Sequence, residues 1–259
     1  MSKQDGVDEL GYILTIGDQS LQPEYQLLVA DVLAALTSQL AHLIHSIYLY
    51  GSVARGDAVA SRSDLDLTLV LHCAASPDES RQLASIRSAL QAAHPEVVKI
   101  DFDVGILADV TAAESLNSWG YWFKHHCRCI WGSDLATRFD LFKPSRAIAL
   151  AVNRDLSEAM DGYALRIEAA SNHAEVQHLK RAAARKLIRA TNILRSESDP
   201  CWPQSLHDYA NLFLQAYPAM ADSMHYFLST ASAERETSDD FVARLRIFTN
   251  WLQSQSEYT

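Results

Sequence analysis

Asp64 and Asp66 lie in Ser63-Asp64-Leu65-Asp66-Leu67-Thr68-Leu69-Val70-Leu71, a segment that opens with polar and apolar residues in alternation. In an extended strand, residues i and i+2 share a face. The two carboxylates therefore project together, roughly 6.6 Å apart along the chain, while Leu65, Leu67 and Leu69 take the other face. Carboxylates that close repel each other, and the repulsion raises the pKa of one of them unless a cation compensates. Oxygen ligands of this kind suit a hard divalent ion, and Mg²⁺ binds through one or two carboxylates plus the phosphates of a substrate.

Upstream, the apolar run Ile47-Tyr48-Leu49-Tyr50 stops at Gly51-Ser52, and a short polar loop with Arg55, Gly56 and Asp57 leads into the aspartate strand. Glycine lets the backbone approach a phosphate closely, and exposed amides with the Ser52 hydroxyl can bond its oxygens. A phosphate cradle one loop away from a carboxylate pair points to phosphoryl or nucleotidyl transfer. A lone Asp-x-Asp would read as a solvated strand end; the combination argues against that. A second alternating run, Val97 to Leu107, puts Lys99, Asp101 and Asp103 on one face and Ile100, Phe102 and Val104 on the other. One of these aspartates could cap a turn or pair with Lys99, but a buried aspartate without partners is expensive, so at least one is expected to work.

Gly51-Ser52-Val53-Ala54-Arg55-Gly56 followed by Ser63-Asp64-Leu65-Asp66-Leu67 resembles the signature of the DNA polymerase beta-type nucleotidyltransferase superfamily. The likeness is nearest to its minimal and aminoglycoside nucleotidyltransferases. The resemblance implies a transferase that uses one or two Mg²⁺ ions to move a nucleoside monophosphate, AMP from ATP as the first expectation, onto a hydroxyl of a small molecule or a protein. It implies Asp64, Asp66 and Asp101 as the catalytic, metal-binding carboxylates, with Asp103 as the alternative to Asp101. Gly51, Ser52, Arg55 and Ser63 would bind the nucleotide, and Asp101 would accept the acceptor's proton.

At 259 residues the chain has room for one large domain or two ordinary ones, and 48% hydrophobic residues suffice for a packed core. The net charge of −10 argues against a nucleic-acid partner, which needs a basic footprint; a tRNA end is the least favoured acceptor. The same charge suits a cationic acceptor such as an aminoglycoside, with a protein hydroxyl as the second option. Cys73, Cys127, Cys129 and Cys201 lack framework spacing, the first ten residues lack an apolar signal core, and no apolar stretch approaches a membrane span. A cytoplasmic protein with no membrane partner is expected.

The expected fold class is α+β: a nucleotidyltransferase domain over 1–142, with a mixed sheet and flanking helices, then a helical bundle over 143–259. Helical periodicity covers 23–45, 77–94, 111–126, 145–170, 174–196, 203–217 and 238–254, and residues 1–20 are expected to form a loosely ordered arm or a short strand near Tyr12–Ile16. Arg181, Arg185 and Arg189 fall on one helix face in the concentrated positive region of an acidic chain. There Arg185 or Lys186 is expected, by analogy with related transferases, to reach the triphosphate across an interdomain cleft; a solvated face paired with Glu168 or Glu175 is the alternative. His125-His126-Cys127-Arg128-Cys129 has no second cluster at zinc spacing and reads as packing. Arg166 to His173 only loosely resembles the Arg-and-His pair of small helical ribonuclease toxins. Two competing functions remain: a nucleotide-binding or partner-binding, antitoxin-like protein without turnover, and a helical interaction module in residues 145–259.

Overall fold

Pro23, whose missing N–H costs nothing at a helix start, begins α1 (Pro23–Leu40). Its Leu28, Val29, Val32, Leu36 and Leu40 recur at three- and four-residue spacing and are all buried. The helix feeds β1 (Ile44–Tyr50), a central strand covered on both faces, which explains its nearly continuous apolar run. A single-turn helix, α2 (Gly51–Arg55), and a loop lead to β2 (Leu65–Leu71). Ser76 and Glu79 form a reciprocal capping box at the start of α3 (Pro77–Ala93), which returns the chain to β3 (Ile100–Ile106). After α4 (Leu107–Val110) and α5 (Tyr121–His126) comes β4 (Arg128–Gly132). The computed structural model describes residues 6–17, 20–232 and 240–258.

The sheet order is β3-β2-β1-β4, with β2 and β3 parallel and β1 antiparallel to both β2 and β4. The fold is therefore α+β with a mixed sheet. Leu65, Leu67, Leu69, Ile47 and Leu49 pack with α1 and α3. Tyr48 and Val70 pack on the other side with Val110, Phe123 and Leu135. The segment expected as one helix over 111–126 is a short 3₁₀ turn and a π-turn (Leu116–Gly120) before α5.

This sheet-bearing unit spans Leu14–Phe142, and residues 6–13 group with the helical unit from Lys143 onward. The first domain expected from the sequence runs over 1–142. Of the strand expected near Tyr12–Ile16, the structure contains one bridge, Val7 to Ile13, while the Lys143 ammonium sits 5.0 Å from the Tyr12 ring centre.

The helical unit comprises α6 (Arg146–Val152), α7 (Leu156–Ala169), α8 (His173–Ala190), α9 (Leu206–Ala216), α10 (Ala221–Ala231) and α11 (Phe241–Tyr258). The single helix expected over 145–170 is broken because the Asn153 side chain donates to the Ala149 carbonyl and stops α6. α10 was not expected; Met224, Phe227 and Ala231 give it a buried face at helical spacing. Its core joins Leu156, Met160, Leu187, Phe213, Phe227 and Phe248. Among the described residues no helix is long and apolar enough to cross a membrane.

Candidate active site

Asp66 is paired on one side with Tyr50 across the antiparallel ladder and on the other with Asp101 across the parallel ladder. Residues directly opposite in a ladder share a face, so Tyr50, Asp66 and Asp101 stand side by side. Asp103 is opposite Thr68 one step further on, and Asp64 immediately precedes β2. The alternating leucines hold this register: Leu65, Leu67 and Ile100 are fully buried on the opposite face, and a one-residue slip would expose them.

Each flanking aspartate has its own partner. The Lys99 ammonium lies 2.6 Å from Oδ1 and 2.8 Å from Oδ2 of Asp101. The Tyr50 hydroxyl donates to Asp103 Oδ2 at 2.5 Å. Asp66 stands between Tyr50 and Asp101, and burial, followed by the negative charges of Asp64, Asp101 and Asp103, pushes its carboxyl up to about 7. Lys99 opposes that rise. The Tyr50 phenol is pushed well above its ordinary range, first by burial and then by Asp103. Beyond Asp103 the face is closed by aromatic side chains. The Trp122 indole N–H donates to the buried Thr68 hydroxyl at 3.3 Å, and the Tyr50 ring meets Trp122 edge-on, 5.0 Å between centres.

Gly51, the first residue of α2, has φ +73°, and a Cβ there would run into Asp66 Oδ2. Ser52 occupies the first turn of α2, and its carbonyl accepts the Asp57 N–H at 3.1 Å. Gly56, at φ +74°, ends that turn in the left-handed conformation. Arg55 donates from Nε and Nη2 to the two oxygens of Asp57 at 3.2 and 3.3 Å, bracing the loop. Ser63 braces its other end, where Oγ accepts the Val59 N–H at 2.9 Å. The loop that brings Gly51-Ser52 next to the aspartates is thus stitched by its own polar residues.

No protein-family model and no curated protein matches the sequence. Among solved structures the chain is similar to spectinomycin adenyltransferase AAD(9) from Enterococcus faecialis, determined with ATP and spectinomycin. The TM-score is 0.56 at 12% identity, covering 89% of this chain and 98% of the other. The likeness is one of fold.

Within this fold, Gly51, Ser52, Asp66 and Asp101 come together at one end of β1, β2 and β3, with Asp64 at the entrance to β2. Arg185 and Lys186 lie on α8 in the helical unit. There Arg185 Nε donates to the Ala231 carbonyl at 3.3 Å, and Lys186 meets both oxygens of Asp155 at 3.0 Å. In the His125–Cys129 stretch, the buried His125 contacts the Leu14 carbonyl through Nδ1 and accepts the Phe142 N–H through Nε2. Its second nitrogen therefore closes a chain junction.

The acidic face suits a hard divalent cation in donor type and charge. Its donors are all carboxylate oxygens, and the central one is raised by burial and then by neighbours of its own sign. Among the described residues, however, no three of Asp, Glu, His and Cys converge closely enough to form a metal-holding group. Asp101 is engaged by Lys99 and Asp103 by Tyr50.

Sequence reasoning missed Tyr50, Thr68 and Trp122 as parts of this face. For Tyr50 the signal was available: antiparallel pairing of consecutive strands brings the last residue of one strand against the first carboxylate of the next.

Proposed function

We propose that the protein is a metal-dependent nucleotidyltransferase that moves a nucleoside monophosphate, AMP from ATP in the first instance, onto a hydroxyl of a small molecule. The observation that carries this reading is the direct opposition of Asp66 and Asp101 beside Gly51, with Asp66 raised to about 7 by burial and then by its acidic neighbours. A carboxylate raised by burial and like charge where several elements meet is a candidate functional group. The likeness to an adenyltransferase determined with ATP and spectinomycin supports the class of donor and of acceptor.

In this reading Asp64, Asp66 and Asp101 would hold one or two Mg²⁺ ions. When bound, the metal would neutralise phosphate charge and favour ionisation of the attacking hydroxyl. The amides and hydroxyl at Gly51-Ser52 bind phosphate oxygens. Asp101 takes the proton of the acceptor hydroxyl, and the aromatic wall of Tyr50 and Trp122 keeps water from one side of the site. The acidic face favours a cationic acceptor, which makes an aminoglycoside the first choice and a protein hydroxyl the second.

Incubation with labelled nucleotides, Mg²⁺ and an acceptor panel of aminoglycosides and cell extract tests the reading. Nucleotide transfer with pyrophosphate release is expected, and its absence with every acceptor rejects the reading. One observation favours a second possibility, a nucleotide-binding protein without turnover. Asp101 is already neutralised by Lys99, and no metal-holding trio is gathered among the described residues. That alternative predicts nucleotide binding with no pyrophosphate released.

A further inference from the structure

We infer that Lys99 is a resident counter-cation of the third carboxylate, which a divalent ion must displace to gain Asp101 as a ligand. The inference rests on the proposed reading of Asp64, Asp66 and Asp101 as metal ligands. Lys99 immediately precedes β3, and its carbonyl accepts the Leu65 N–H at 2.9 Å, which anchors its backbone beside the start of β2. From there its ammonium contacts both oxygens of Asp101 at 2.6 and 2.8 Å. Asp101 stands opposite Asp66, and the Lys99 charge also counters the repulsion felt at Asp66. One positive side chain thus serves two of the carboxylates that would hold a metal.

The strength of the pair decides whether it can be exchanged. The Lys99 and Asp101 side chains are 40% and 32% exposed, so water screens the attraction, and ion pairs of this kind contribute little. A fully buried pair would lock the site; a partly exposed one holds Asp101 until a better cation arrives. Tyr50 meanwhile occupies Asp103, the other aspartate of β3 on that face, through a hydrogen bond with no charge to displace. Lys99 is a positioning residue in this account. It keeps the carboxylates folded together without metal and sets the metal concentration at which Asp101 changes partner.

Titration of the full-length protein with Mn²⁺, followed by electron paramagnetic resonance without nucleotide, tests the inference on wild type, Lys99→Met and Lys99→Arg. Lys99→Met is expected to bind Mn²⁺ more tightly, by roughly fivefold, the factor set by a partly exposed ion pair. Lys99→Arg, which keeps a cation on Asp101, is expected to bind no more tightly than wild type. Thermal melts accompany the titrations to establish that each variant is folded. If wild type binds Mn²⁺ and Lys99→Met binds it equally or more weakly, the counter-cation role is overturned while the metal-site reading stands. Equal tightening in Lys99→Arg would overturn it too, since the effect would not follow charge. No Mn²⁺ binding by any of the three proteins would overturn the metal-site reading itself.

Discussion

The α-carbon of Gly51 backs onto the carboxyl group of Asp66. A Cβ built there would run into Oδ2 and lie 3.2 Å from Cγ, and the residue already sits at φ +73°, where an L side chain is strained. The glycine of the loop therefore does more than admit a phosphate: it makes room for the central carboxylate. Gly51→Ala is expected to cost about 1–3 kcal/mol of stability and to lower turnover sharply. In an Asp66→Ala background the steric part should vanish, so Gly51→Ala should cost less there by thermal melting. Equal costs in the two backgrounds would mean that backbone strain alone, and not Asp66, requires the glycine.

Asp66→Asn should remove activity and leave the fold intact. The amide keeps the shape of the side chain but cannot ligate a metal as an anion, and a loss of at least about 10²-fold in turnover is expected. A variant at full rate would remove Asp66 from the catalytic set.

The same carboxylate sets a pH dependence. Asp66 titrates near 7 in the folded protein, against an ordinary value of 3.8. Between those values the folded chain binds a proton that the unfolded chain has released. Stability of the metal-free protein therefore falls as pH rises through this window, by a few kcal/mol at most. Melting in EDTA from pH 4.5 to 8 should show the decline on top of other titrations, Asp66→Asn should flatten it, and Mg²⁺ should reduce it in wild type. A slope identical in wild type and Asp66→Asn would remove Asp66 as its source.

The parts of this site legible in sequence were those fixed by period-two alternation and turn chemistry. Asp64 and Asp66 on one face, Asp101 and Asp103 on the next strand, and the Gly51-Ser52 bend each follow from local spacing. Which residue faces which across strands does not: the Asp66–Asp101 and Tyr50–Asp66 registers depend on strand order, and the Trp122–Thr68 hydrogen bond links residues far apart in sequence. In the helical half, buried stripes at helical spacing were readable, whereas the stop at Asn153 depends on one side-chain hydrogen bond. α10 escaped because a proline-led 3₁₀ turn precedes it, so no conventional capping residue announces it.

Lys186 pairs with Asp155, and their side chains are 30% and 56% exposed. Such a pair is worth no more than about 1 kcal/mol, so Asp155→Ala and Lys186→Met should both melt close to wild type. If Lys186 meets the triphosphate, as its position in the basic helix led us to expect, Lys186→Met raises the KM for ATP several-fold and Asp155→Ala does not. Matching KM values for the two variants would return Lys186 to a surface role.

Asp101 and Asp103 differ in what holds them, and that difference separates their roles. Asp103 accepts a hydrogen bond from Tyr50, which asparagine can still accept through its amide oxygen, so Asp103→Asn should keep most activity. Asp101 is held by a partly exposed lysine and stands beside Asp66, so Asp101→Asn should change stability by less than about 1 kcal/mol. Turnover should nonetheless fall by roughly 10²–10⁴-fold if Asp101 takes the acceptor's proton. Tyr50→Phe offers an independent check. Freed from the tyrosine, Asp103 becomes able to compete for the metal, so Tyr50→Phe should partly rescue Asp101→Asn while leaving the wild-type rate little changed. Loss of activity in Asp103→Asn with a functional Asp101→Asn would reverse the assignment and make the Tyr50 hydroxyl, and not Lys99, the partner that the metal displaces.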